Sequence, residues 1–111
     1  MTAEKLTHEE ADARFPLHTQ NMKSRRCFTH KGLEVEERIY LDEKNACYKM
    51  CWCLQPFETV MVNSVRNYLF VASFGQKEFG SYGEVSCREA VRNEFEQYWS
   101  SLIERNKVQN G

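Results

Sequence analysis

Between Gly32 and Leu54 the chain reads GLEVEERIYLDEKNACYKMCWCL, with polar and apolar residues alternating on both sides of a polar turn. In the first run Leu33, Val35, Ile39 and Leu41 share a face, and Glu34, Glu36, Arg38 and Tyr40 share the other. In the second run Ala46, Tyr48, Met50, Trp52 and Leu54 share a face. A hairpin turning at Glu43-Lys44 would pair Leu41 with Ala46, Ile39 with Tyr48, Glu37 with Met50, Val35 with Trp52 and Leu33 with Leu54. Both apolar faces then lie on one side of a sheet, and a slip of one residue would turn one of them to solvent. Glu37 breaks the pattern, standing among the apolar positions.

The pattern extends in both directions. A strand over about residues 24–30 can turn at Lys31-Gly32, which pairs His30 with Leu33, Phe28 with Val35 and Arg26 with Glu37. Residues 1–23 read as a polar segment, partly flexible or one short helix. Thr7 to Glu10 has the spacing of a capping box, and Pro16 stops a helix begun there. After Gln55-Pro56 breaks the ladder, residues 57–65 and 68–74 read as two strands around Arg66-Asn67, apolar on both parities. Gly75 to Gly83 is a glycine-rich loop of a length that often carries contacts.

Ser86 to Glu89 again has capping-box spacing, with Val85 as a staple, and predicts a helix to about Asn106. Val91, Phe95, Tyr98 and Leu102 recur along it at helical spacing, widened by Ala90, Trp99 and Ile103, while Arg92, Glu96 and Arg105 lie off that stripe. The predicted fold is α+β: a single domain over 24–111, with an antiparallel meander sheet of about five strands packed on one long C-terminal helix.

Composition narrows the function classes. The 111 residues suit one domain, and 41% hydrophobic with 28% charged content is that of a globular protein. A net charge of −1 leaves no general basic footprint, so nucleic acid is not the expected partner. Lys23-Ser24-Arg25-Arg26 is a short basic cluster, but Glu34 and Glu36 on the outward face would repel phosphates. No apolar run reaches the length of a membrane span, and Met1 to Phe15 lacks the apolar core of a secretory signal. With an odd count of 5 cysteines, reduced thiols in the cytoplasm are expected.

Glu37 and Arg26 are the first candidate site. One reading is a carboxylate inside an apolar cavity, partnered by an arginine, that orients a ligand or moves a proton. The other is a surface ion pair of little worth at an open, twisted edge. Burial would raise the carboxyl pKa and the arginine would lower it. Cys47, Cys51 and Cys53 share the face opposite the apolar one, and Cys27 joins them through Glu36. Their spacing is not that of zinc knuckles, so no metal and no cofactor is expected and they read as small hydrophobes. No motif pairs a cysteine with His8, His18 or His30, GQKEFGSYG is not a phosphate-cradling loop, and no catalytic residue is assigned.

Gly32 to Glu43, containing G-x-x-V-x-E-R, and then Tyr48 resemble a strand pair of START-like (Bet v 1-like, polyketide-cyclase/SRPBCC) proteins. Val62-Asn63-Ser64-Val65, the strand after it and the long terminal helix extend the likeness over about residues 24–107. The resemblance implies a helix-grip fold, in which a curved antiparallel sheet wraps a long C-terminal helix around a hydrophobic cavity. That family usually opens with a strand and two short helices, whereas residues 1–23 promise one short helix at best. The result would be a groove instead of a closed pocket, or a wall supplied by a second chain.

The implied function is binding of a small apolar ligand, assisting a metabolic cyclisation or transfer step. Val35, Ile39, Tyr48, Met50 and Trp52 from the sheet, with Val91, Phe95, Tyr98 and Leu102 from the helix, would line the cavity, and Arg26 and Glu37 would be its polar fixtures. A filled core would use the same residues. The alternative is a protein-interaction module or inhibitor, monomer or homodimer, acting through a sheet edge and Trp99, Phe79 and Tyr82. A third reading is a cysteine-dependent metal or redox role.

Overall fold

The structure is a computed structural model that describes residues 4–17, 19–54 and 68–110, with all side chains there except those of Lys5, His8, Leu54, Tyr68, Leu69 and 99–110. The expected strand over 57–65 lies outside the described residues. The most constrained connection is the Lys31-Gly32 turn. Both residues have positive φ, +52° and +82°, the backbone twist that suits a two-residue link between antiparallel strands. It joins β2 (Met22–His30) to β3 (Leu33–Asp42) in the expected register, with Arg26 opposite Glu37.

The β3–β4 hairpin corrects the sequence expectation. β4 runs Cys47–Leu54, and Ile39 pairs with Met50, Glu37 with Trp52 and Val35 with Leu54, two residues further along than expected. The cause is a longer turn. The Asp42 carboxylate accepts the backbone N–H of Asn45 (3.2 Å) and its side-chain amide (2.8 Å), and Ala46 closes the loop with φ of +51°. A shift of two preserves parity, so each side chain keeps its face.

β5 (Tyr68–Gly75) pairs with β4, and β1 (Glu4–Thr7) pairs with the far side of β5, giving an antiparallel sheet in the order β1-β5-β4-β3-β2. The alternation did not predict β1, which carries one buried apolar side chain, Leu6. α1 (His8–Arg14) follows directly, and its capping box is formed: Thr7 Oγ1 accepts the Glu10 N–H at 3.1 Å and the Glu10 carboxylate accepts that of Thr7 at 3.4 Å.

After a 3₁₀ turn at Gln76–Glu78, α2 runs Tyr82–Asn110. It begins before the expected Ser86 cap because Gly80, at φ +74°, turns the chain and the Glu84 carboxylate accepts the Gly80 N–H at 2.7 Å. Ser86 and Arg88 therefore lie inside the helix. α2 packs chiefly across β5 and β4.

The sheet thus carries a core on each face. On the α2 face Val35, Ile39, Met50, Trp52, Phe70, Ala72, Phe74, Cys87, Val91 and Phe95 form one buried cluster. On the α1 face Leu6, Ala11, Phe15, Tyr40, Cys51, Cys53 and Val71 form another. The face read from sequence as outward is therefore covered: Glu36, Arg38 and Tyr40 are all buried. Among the described residues no helix is long and apolar enough to cross a membrane.

Candidate functional site at the seam between the outer strand and the long helix

The β2–β3 register puts Arg26 beside Glu37, and α2 brings Arg88 to the same carboxylate. Glu37 is fully buried, at 0% exposure. One oxygen, Oε1, accepts Arg26 Nε (3.0 Å) and Arg88 Nη2 (3.0 Å). The other, Oε2, accepts the Trp52 indole N–H (2.7 Å) and Arg88 Nε (2.8 Å). Four charge-assisted bonds fill the carboxylate's acceptor capacity. Burial alone would raise its pKa, but the bonds from Arg88, Trp52 and Arg26 outweigh it and hold the carboxyl below its ordinary value. Glu37 is therefore an ionised, positioned group with no site left for a ligand's donor.

The two arginines differ from it. The Arg26 side chain is 50% exposed and that of Arg88 27%. Among the described residues Arg26 gives only Nε to Glu37, its guanidinium resting on the Phe28 ring at 4.8 Å. Arg88 gives Nε and Nη2 to Glu37 and Nη2 also to Glu84 at 3.2 Å, so Nη1 has no acceptor among the described residues.

Further along the same seam His30 Nε2 lies 3.0 Å from the Glu96 carboxylate, and Lys31 Nζ is 3.4 Å from it. Phe28 and His30 stand edge-on to Trp52, at 5.0 and 5.5 Å between ring centres. The seam is thus walled by Arg26, Phe28 and His30 of β2 and by Arg88 and Glu96 of α2, with Trp52 and Glu37 beneath.

The apolar residues expected to line a cavity pack on one another. Val35, Ile39, Met50, Trp52 and Phe95 are buried in one cluster, with Trp52 on Phe95 at 5.5 Å, while Tyr48 and Tyr98 sit partly exposed at its rim. The side chains of Trp99 and Leu102 lie outside the described residues. Of the remaining contact candidates, Tyr82 is exposed, and Phe79, also exposed, lies against Tyr48 at 4.8 Å.

On the α1 face Glu36 accepts Arg25 Nε and Nη2 (3.0 and 2.7 Å) and Arg38 Nε. Arg38 continues inward to the Phe15 carbonyl (2.9 Å) and to Asp12 (3.3 Å), and Tyr40 donates to the carbonyls of Phe15 and Pro16. Beside α1 lies a hollow of about 570 Å³, lined by Phe15, Thr19, Tyr40, Asp42, Lys44 and Lys49 among others.

Cys51 and Cys53 are buried beneath α1, and Cys87, on α2, is buried against the other face of the sheet. Burial pushes the thiols of Cys53 and Cys87 up to about 12 and that of Cys51 higher, which removes them as nucleophiles. Among the described residues no group of histidine, cysteine and carboxylate side chains could hold a metal ion.

Sequence reasoning missed Arg88, Trp52 as a hydrogen-bond donor, and the Glu36 network. The signal for Arg88 was its place three and seven residues before Val91 and Phe95, at the margin of the buried stripe. Compared with known proteins, the chain matches no family model, no curated protein and no solved structure.

Proposed function

We propose that the chain is a small-molecule-binding protein of the START-like type that holds an apolar ligand along the seam between β2 and α2. The observation that carries this reading is the Glu37 network. A fully buried carboxylate fixes two partly exposed arginines beside an apolar sheet–helix interface, the combination of apolar surface and a few convergent polar groups that ligand sites use. The layout of an antiparallel sheet with a C-terminal helix across it is in keeping with a helix grip. Phe28, partly buried against the core beside Trp52, supplies apolar rim for the ligand's body. The cysteines are all free thiols, which suits a cytoplasmic role. No catalytic group is assigned, and assistance to a cyclisation or transfer step would come from holding the ligand.

Native mass spectrometry of protein isolated under non-denaturing conditions tests the reading. A retained small molecule at one per chain is expected. A bare monomer that also fails to take up apolar compounds would overturn it. A second reading rests on β2 being an outermost strand among the described residues, with Lys23, Arg25 and Arg26 exposed: an interaction module that adds an acidic strand at that edge. A stoichiometric protein partner in the same spectra would favour it.

A further inference from the structure

We infer that the ligand of the seam carries an anionic head group, a carboxylate or a phosphate, gripped by Arg26 and Arg88, while Glu37 serves as their positioning residue and does not touch the ligand. This inference rests on the binding function proposed above and specifies its chemistry.

The geometry points to it in three ways. Glu37 has both oxygens occupied by protein donors, so it cannot recognise a ligand's hydroxyl or amine without losing a bond inside the fold. Both guanidiniums are instead bound to the carboxylate by one edge and turn other N–H groups away from it. Nη1 and Nη2 of Arg26 and Nη1 of Arg88 meet no acceptor among the described residues. Two cations converge on one fully buried anion, and the planar fork of each is held in place by it, so little ordering remains to be done when an oxyanion arrives. Arg26 can give a forked pair of bonds from Nη1 and Nη2 to an oxyanion, and Arg88 can add one from Nη1, which a neutral head group cannot exploit to the same degree.

Charge also favours this choice. Of the four charged groups in contact, Glu37 is shared by both arginines, and Glu84 touches only Arg88 at 3.2 Å while its second oxygen holds the Gly80 N–H. Arg26, lying on the Phe28 ring, is the group least compensated by protein carboxylates. An alkyl or aryl body attached to the anion would run from Arg26 over Phe28 towards His30, where the rings of Trp52 and Phe95 close the seam.

Paired titrations with decanoate and decanol at neutral pH, followed by calorimetry and by tryptophan fluorescence, test this. The two probes share a chain and differ in the charge of the head. Decanoate is expected to bind about ten- to a hundredfold tighter than decanol, the range of charged hydrogen bonds. In Arg26→Gln, folded by circular dichroism, the gap should narrow, because Arg88 alone is then left to hold the head group. Equal binding of the two probes by the wild-type protein would overturn the anionic head while leaving the binding function standing. A gap undiminished in Arg26→Gln would show that Arg26 does not grip the head group and overturn the paired-arginine site. Binding of neither probe would overturn both the head group and the binding function.

Discussion

Glu36 and Glu37 are adjacent in β3, point to opposite faces of the sheet, and are both buried with two arginines on each. The two arrangements end differently. On the α1 face one arm of the network runs inward: Arg38, 5% exposed, carries the charge of Glu36 on to the Phe15 carbonyl and Asp12 and so ties the segment after α1 to the sheet, while Arg25, 44% exposed, gives Nε and Nη2 to Glu36 at the surface. On the α2 face it ends at the surface, because Arg26 and Arg88 keep N–H groups turned to the seam. The same residue types build an inward tie through Arg38 in one place and two surface-reaching cations in the other. What the second arginine meets decides which.

The most disruptive way to test that difference is Glu37→Leu. It leaves Arg88 and the Trp52 indole without their acceptor, and about 3 kcal/mol of stability should be lost, read from urea unfolding. Arg38→Met comes next, at about 2 kcal/mol, since one bond to Glu36 and the tie to Phe15 go while Arg25 still pairs with Glu36. Hydrogen exchange should then quicken in α1 and leave α2 protected. Equal quickening of both helices would show that the two networks are not separate.

The acid limb of the stability curve gives a further separation. The folded pKa of Glu37 lies below its ordinary 4.5, so its stabilisation is complete above that value and is lost as pH falls through the lower folded value. Glu37→Gln should flatten the dependence of unfolding free energy on pH below about 4.5; an unchanged slope would place the acid sensitivity elsewhere. Thr7→Ala should cost about 1 kcal/mol by removing the α1 cap. Arg26→Gln should cost least, under about 1 kcal/mol, because a half-exposed partner is lost and Arg88 still satisfies both oxygens of Glu37.

The legible parts of this molecule were those with a short, stereochemically demanding cause. Lys31-Gly32 admits a two-residue turn, and that alone places Arg26 opposite Glu37. The Thr7 box and the face of Val91 and Phe95 follow from local spacing in the same way. The β3–β4 register was not legible, because it depends on the Asp42 side chain holding Asn45 and on a left-handed Ala46. Alternation assigns residues to faces without saying what covers a face, so Glu36, Arg38 and Tyr40 read as outward until α1 is laid over them. Arg88 was hidden by a plausible cap at Ser86. Only a helix starting at Tyr82 carries it alongside Glu37.

The contrast between the arginine pair on Glu36 and the pair on Glu37 is tested most directly by the guanidinium Nε–H resonances in a titration with decanoate. The shifts should move at Arg26 and Arg88, together with the Trp52 indole N–H that shares their carboxylate, and stay in place at Arg25 and Arg38. Movement at Arg25 or Arg38 with none at Arg26 and Arg88 would contradict the account.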